Sequence, residues 1–222
     1  MMPSGAMSSS LNRVLAKRSD LHLLRKLWHM GVGSLCLFVY YRSGEDQDFW
    51  AWNILGVAIA GFIFDFARHR SESLNEFVLK VMGPFMRSSE KNGMSGLPFY
   101  ALGVSIALHF YKKEIALLAT FFLVYSDPIS SFFGIIYGKD KIMPNKSLQG
   151  AIAGFFTCYL ITLFYGLHYG AEGNSLLWFS IFAGLVGAIS EMLSAFNIDD
   201  NLTIPVVSGL GLTVMNYFFP VL

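Results

Sequence analysis

The chain has 222 residues, of which 54% are hydrophobic and only 14% charged, and its mean hydropathy is +0.51. Soluble domains carry about 25% charged residues, so this chain lacks the polar surface to cover itself in water and reads as an integral membrane protein. A net charge of +1 supplies no field to hold nucleic acid, and two cysteines inside apolar runs, Cys36 and Cys158, make no disulfide framework. An ordinary soluble enzyme, a secreted disulfide scaffold and a disordered chain are excluded.

The first ten residues, Met1 to Ser10, are small and polar and read as a disordered start. Arg13, Lys17, Arg18, Arg25 and Lys26 follow in a stretch suited to an interfacial helix. Residues 1–24 are read as a basic cytoplasmic segment and 25–222 as one transmembrane domain. The apolar run after these bases is long and lacks a clean small-residue cleavage site, so it is read as a retained span. Apolar segments run over Leu27–Tyr41, Phe49–Phe66, Gly96–Tyr111, Ile115–Tyr137, Leu148–Tyr169, Leu176–Phe196 and Leu202–Leu222. The third is the weakest, because Gly96, Pro98 and Gly103 interrupt it. Ser73–Met86 differs: Leu74, Phe77, Val78 and Val81 recur at helical spacing around Glu76 and Lys80, which predicts an amphipathic interfacial helix. The predicted fold class is therefore all-α and polytopic, with about seven transmembrane helices of roughly 20 residues each plus the amphipathic one.

All 16 Lys and Arg lie at or before Lys146. The N-terminal segment and the loops after the second and fourth spans hold 13 of them. The positive-inside bias places those regions and the N-terminus in the cytoplasm.

Three acids lie inside spans: Asp65, Asp127 and Glu191. An ionised side chain at the bilayer centre costs about 2.5–3.5 kcal/mol on insertion scales, so each calls for a reason. With the orientation above, all three fall in the cytoplasmic half of their helix. Asp127 heads a stripe of Ser131, Gly134 and Gly138; Glu191 sits with Gly184, Ala188 and Ala195; Gly150, Gly154 and Cys158 form a small face on the fifth span. Such faces serve either helix packing or the close approach of a ligand. Pro128 predicts a kink beside Asp127. For Asp65, near a helix end, snorkelling to the interface is the expectation.

Two loops carry chemistry. The stretch from Tyr137 to Gly150 holds Lys139, Lys141 and Lys146, and Ser147 is placed to cap the next helix. Lysines at a helix N-terminus suit phosphate, or they set topology alone. The stretch from Asn197 to Pro205 holds Asp199, Asp200 and Asn201, which are either oxygen ligands for Mg²⁺ or a polar turn that caps a helix. Arg25-Lys26-x-x-His29 at the first span is either an anchor or a site, and His29 by itself suits an interhelical hydrogen bond.

Taken together, these blocks resemble the CTP-dependent lipid kinases of the dolichol kinase, phytol kinase and diacylglycerol kinase type. Arg25-Lys26-x-x-His29 with Gly31 is similar to the family's N-terminal block. Asp65-Phe-Ala-Arg68, Gly83-Pro-Phe-Met-Arg87 and the block from Gly96 to Gly103 look like the diacylglycerol kinase branch. The run from Asp127 through Gly134, Gly138 and Lys139 to Lys146, Ser147, Gly150 and Gly154 is similar to the CTP-transferase core. Glu191 with the Asp199–Pro205 stretch looks like the closing block of the phytol and dolichol kinases.

The resemblance implies essential roles for Arg25, Lys26, Asp127 and Gly134. It implies a γ-phosphoryl transfer from CTP to diacylglycerol or a polyprenol that enters sideways from the bilayer. Asp127, with Asp199 or Asp200, would hold a divalent cation, Mg²⁺. Arg25, Lys26 and Lys146 would neutralise the triphosphate, and Asp127 or Glu191 would take the hydroxyl proton. Gly134, Gly138, Lys139, Ser147 and Gly150 complete the expected phosphate-binding set. The partners implied are CTP and a membrane lipid, with no nucleic acid and no obligate protein partner. The site would face the cytoplasm at an inner (plasma) membrane or the endoplasmic reticulum.

The related phosphatidate cytidylyltransferases also use CTP, and making CDP-diacylglycerol is the alternative. They usually end in a His-Gly-Gly-x-x-Asp-Arg-x-Asp signature that is missing here, where Asp199-Asp200-Asn201 stands instead. An ion relay through Asp127 and Glu191 is a non-enzymatic alternative that would favour an inverted repeat, and none is visible.

Overall fold

The computed structural model describes residues 23–87, 89–196 and 198–222. The expected disordered start and the basic residues Arg13, Lys17 and Arg18 lie outside the described residues. Within them the chain is all-α apart from one small hairpin: α1 (Leu23–Ser43), α2 (Gln47–Arg70), α3 (Glu72–Met82), α4 (Gly96–Phe110), α5 (Lys113–Tyr137), α6 (Leu148–His168), α7 (Gly173–Met192) and α8 (Asp200–Phe218). Side-chain caps begin several of them, because the first turn of a helix leaves backbone donors free. The Asp46 carboxylate accepts from Phe49 N at 2.7 Å before α2, and the Ser147 hydroxyl accepts from Gly150 N at 3.2 Å before α6.

A helix stands at each of the seven expected segments. Four of them, α2, α5, α6 and α7, are long and apolar enough to cross a membrane. The count of seven is not reached by that measure. At 15 residues, α4 is only about 22 Å long at 1.5 Å per residue, against roughly 30 Å of hydrocarbon. Arg25, Lys26 and Arg42 reduce the apolarity of α1, and Asp200, Asn201 and Asn216 that of α8. The amphipathic helix is present as α3, with Val78 buried and Phe77 and Val81 exposed.

Helix α5 is the centre of the bundle. Ile115–Thr120 and Phe122–Val124 are buried, and α6 and α8 pack on it. Helix α7 packs against α6 and α8, α8 against α4, and α4 against α2. Helix α1 is peripheral and touches the middle of α5 and the turn Gly83–Phe85. Large apolar side chains such as Trp52, Ile63, Phe164 and Trp178 point outward, the surface a bilayer covers.

The interruptions in the third segment have a packing reason. A Cβ on Gly103 would stand 2.5 Å from the Asn201 carbonyl oxygen and 3.1 Å from Leu202 Cα, so α4 crosses α8 backbone against backbone. Pro98 sits in the first turn of α4, where a missing N–H leaves no bond unmade. The loop after α5 is also more ordered than a basic loop requires. Lys141–Met143 pairs antiparallel with Lys146–Ser147 around Pro144 and Asn145, residues that suit a tight turn.

Asp65 corrects the sequence expectation. It does not snorkel: it is 2% exposed, and its Oδ1 accepts from Arg68 Nε at 2.6 Å. Its Oδ2 accepts from both Ser95 N and Ser95 Oγ at 2.7 Å. The Arg68 guanidinium also donates to Asn75, Glu90 O and Gly93 O. A buried charge is tolerated when every lone pair and proton is matched, and here the match ties the end of α2 to the loop before α4.

Gly103→Val should force α4 from α8 at a cost of about 1–3 kcal/mol. That is several degrees of apparent melting temperature in detergent, at ~2–4 °C per kcal/mol. Gly31→Ala, where nothing lies within 4 Å of the new carbon, should leave the melting temperature unchanged or slightly raised.

Candidate active site

The site begins with a backbone irregularity. Phe122–Ser126 forms one π-turn inside α5, and the Asp127 amide donates to Phe122 O, five residues back. Leu123 O thereby loses the Asp127 donor, and the next residue in the π-register is Pro128, which has no N–H. The imidazole of His29 fills the vacancy: Nε2 donates to Leu123 O at 2.9 Å. The kink expected at Pro128 is thus taken up as a π-turn, and His29 makes the interhelical hydrogen bond its sequence position suggested. The contact fixes α1 beside Asp127, with Ser34 Oγ to Tyr125 Oη at 2.8 Å one turn further along.

Three neighbouring cavities meet here. The middle one, about 80 Å³, is lined by Arg25, Lys26, His29, Arg87, Asp127 and Ser131. On one side lies a polar cavity of about 310 Å³ between α5, the hairpin, α6 and α7. Gly134, Gly138, Lys146, Ser147, Gly150 and Glu191 line it, and it shares Ser131 and Ile135 with the middle cavity. On the other side lies a largely apolar cavity of about 200 Å³, which shares Arg25 and His29.

Nearly every charge at these cavities has a partner. Arg25 Nη1 meets Glu90 Oε1 at 2.7 Å, while Glu90 Oε2 accepts from Arg87 N at 3.1 Å. Arg87 Nη2 donates to both oxygens of Asp200, at 2.8 and 3.0 Å. Burial works against the Arg87 guanidinium, but Asp200 and Asp127 outweigh it and hold its pKa above the ordinary arginine value. Lys26 Nζ donates to Ser131 Oγ at 2.9 Å. Glu191 Oε1 accepts from Ser130 Oγ at 2.7 Å and from Lys146 Nζ at 3.0 Å. Burial likewise disfavours the Lys146 ammonium, yet Glu191, Asp127 and Asp200 prevail and raise its pKa. Glu191 Oε2 is buried with no hydrogen-bond partner among the described residues.

Among the acids, Asp127 is the exception. It is buried, lines the middle cavity and lies within electrostatic reach of His29, Lys146, Arg87 and Lys26. Yet its carboxylate receives no hydrogen bond or ion pair from any described residue.

Most expected site residues therefore converge, and their tasks divide. Gly134, Gly138 and Gly150 join two helices as well as line a cavity: a Cβ on Gly150 would stand 3.0 Å from Ser130 O and 3.2 Å from Gly134 Cα. Ser147 caps α6 as expected. Lys139 is exposed and is not among the residues lining these cavities; only its backbone amide is tied, to Gln149 Oε1 at 3.1 Å. Asp199 caps α8, its Oδ1 accepting from Asn201 N at 3.0 Å and Asn201 Nδ2 at 2.8 Å, and it too is absent from the cavity walls. No group of three His, Cys, Asp or Glu side chains among the described residues is placed to hold a metal by itself.

Glu90 and Arg87 were missed as site residues. Arg87 closes the Gly83–Arg87 block, and Glu90 lies in a polar loop whose pattern does not say which side chain turns inward.

The fold and site define a polytopic membrane protein with a charged pocket where the start of α1, the middle of α5, the start of α6 and the end of α7 meet. Residues 11–196 match the model of the Cytidylyltransferase family, and the chain belongs to that family. It is 32% identical to the CTP-dependent diacylglycerol kinase 1 of Saccharomyces cerevisiae, over 84% of this chain and 70% of the relative. It is 33% identical to the protein of the same name in Schizosaccharomyces pombe, over 83% and 89%. The chloroplastic farnesol kinase of Arabidopsis thaliana is 23% identical, over 86% and 65%. No solved structure matches the chain.

Asp199 offers a test of whether it caps or ligates. Burial and the neighbouring Asp200 charge push its pKa above the ordinary aspartate value. Its folded form therefore binds a proton more readily than its unfolded form, and the stability this contributes fades as pH rises through the folded pKa. Asp199→Asn keeps the cap without the charge. The variant should match or exceed the wild-type melting temperature at pH 7, with the difference shrinking toward pH 4, and it should keep its activity. Loss of activity at full stability would instead make Asp199 a ligand.

Proposed function

We propose that this chain transfers the γ-phosphoryl group of CTP to the hydroxyl of a membrane lipid alcohol, diacylglycerol or a polyprenol. The observation that carries this reading is the row of three cavities with Asp127 at the junction. A polar cavity under a lysine-bearing hairpin suits a nucleoside triphosphate, an apolar one suits a lipid, and an unpartnered carboxylate among cations stands between them. CTP as the donor rests on the CTP-dependent diacylglycerol kinases among the relatives.

In this reading the triphosphate lies along Lys146 and the start of α6, where the helix N-terminus favours anionic oxygens. Arg25, Lys26 and Arg87 neutralise its outer end. Phosphoryl transfer needs positioning and charge compensation above all, and the Glu90 clamp on Arg25 and Arg87 supplies the first. The acceptor oxygen bonds to the γ-phosphorus, the bond to the departing CDP oxygen breaks, and the hydroxyl proton passes to Asp127. Mg²⁺ requires only one or two protein carboxylates beside substrate phosphates, and Asp127 fits that demand, since its carboxylate is unpartnered. Asp200 is engaged by Arg87 and Asp199 by its cap, so both are weaker candidates. When bound, the ion would add to the charge neutralisation. Glu191 stays with Lys146 and Ser130 on the nucleotide side and orients the lysine.

We place the N-terminus and the site on the cytoplasmic face, with seven helices embedded and 25–222 as one domain. The short α4 reaches its depth by packing between α2 and α8.

Purified protein with Mg²⁺, a lipid alcohol and CTP labelled at the γ- or the α-phosphorus decides the reaction. Label should enter the lipid from the γ-position alone. Entry from the α-position into a phosphatidate would make the chain a cytidylyltransferase. Asp127→Asn should lower turnover by about 10²–10³-fold or more, the scale of losing one group that acts on the transition state, while the protein still elutes as a folded monodisperse species. Wild-type turnover in that variant would remove Asp127 from the mechanism.

A further inference from the structure

The reading above leaves open where the acceptor sits. We infer that the apolar cavity between α1, α2, α3 and α4 is the lipid-acceptor subsite, entered from the bilayer past the Trp28–Phe85 ring pair. This inference rests on the proposed phosphoryl transfer for its activity arm only.

Four observations carry it. First, the wall is apolar where a hydrocarbon chain would lie: Trp28, Val32, Phe64, Val78, Met82 and Phe85 line it. Second, the cavity adjoins the charged junction, because Arg25 and His29 line both. A hydroxyl at that end lies next to the cavity that holds Asp127. Third, the remaining polar groups of the wall are not equivalent. Asp65 and Arg68 are saturated by each other, Ser95, Asn75 and two backbone carbonyls, so they form a neutral floor. The Tyr100 ring lines the wall as well, while its buried hydroxyl lies toward Gly33 on α1. Fourth, size limits what enters. About 200 Å³ is the room of some six or seven waters at ~30 Å³ each, enough for a headgroup-sized fragment and its first carbons. The tails must then remain in the bilayer.

The entrance follows from α3. Its Val78 and Met82 face the cavity while Phe77 and Val81 are exposed, so the helix has an apolar surface on both sides, as a lid lying in the membrane interface requires. Trp28 and Phe85, with ring centroids 4.9 Å apart, bridge α1 to the turn after α3. Among the described residues no backbone hydrogen bond joins those two elements, so parting the rings opens the side of the bundle to lipid.

The test uses the full chain in phosphatidylcholine vesicles with a diacylglycerol bearing a diazirine near its glycerol end. After irradiation, cross-links should map to 28–32 and 78–86, should be competed by unlabelled diacylglycerol, and should fall at least fivefold in Val78→Trp and Met82→Trp. Phe77→Trp, on the outer side of α3, should change nothing. In the activity arm, Val78→Trp and Met82→Trp should raise the lipid KM at least tenfold with the CTP KM unchanged. Cross-links confined to outward residues such as Phe38 or Trp178, or undiminished in both tryptophan variants, would overturn the subsite. Absence of any transfer from CTP by the wild type would overturn the proposed reaction, while the cross-links would still decide the subsite.

Discussion

A backbone carbonyl that no backbone amide can reach sets the geometry of this protein. In hydrocarbon each main-chain polar group must find a partner inside the protein. Pro128 and the π-turn before it deprive Leu123 O of both its possible helical donors, and His29 answers from α1. The consequence exceeds one hydrogen bond. Helix α1 is the most weakly packed of the long helices, with only Gly33, Leu37 and Tyr40 buried. Fixing its turn at His29 brings Arg25 and Lys26, one turn earlier, to the edge of the cavity that holds Asp127. The irregular turn and the cationic cluster are thus one construction.

The charges follow a consistent logic. Taking an ion out of water costs several kcal/mol even after relaxation, and a buried pair is tolerated only when its remaining donors and acceptors are matched. Asp65 with Arg68, Glu90 with Arg25 and Asp200 with Arg87 meet that condition, while Glu191 pairs with Lys146 through Oε1 and keeps a buried Oε2 without a partner among the described residues. These pairs hold the cationic side chains in place before any ligand arrives, which is how positioning is supplied at little entropic cost during a reaction. Asp127, buried among cations but bonded to none of the described residues, is the acid of these cavities that the chain leaves unpaired. The chain belongs to the Cytidylyltransferase family, and its relatives include CTP-dependent diacylglycerol kinases.

Composition and local pattern determined a good deal. The membrane class, the helix at each apolar segment, the amphipathic α3, the Ser147 cap and the three isolated acids all follow from side-chain chemistry that acts within one or two turns. Hydrophobicity decides what leaves water, 3.6-residue periodicity decides which face is apolar, and the cost of a lone intramembrane charge marks Asp127 and Glu191. The order of short motifs also pointed to the family.

Other features depend on groups far apart in the chain, and only the tertiary structure decided them. Asp65 and Arg68 are three residues apart, yet their burial rests on Ser95 and on the carbonyls of Glu90 and Gly93, which no local pattern contains. The interruptions at Gly96 and Gly103 read as weakness until α8 lies across them. Asp199 and Asp200 are adjacent in sequence, but one caps a helix while the other meets Arg87, more than a hundred residues away. The same holds for Glu90, which joins Arg25 to Arg87, and for the unpartnered state of Asp127. A residue's type announces that it needs a partner; which partner it finds, or that it finds none, is settled by the packing of distant helices.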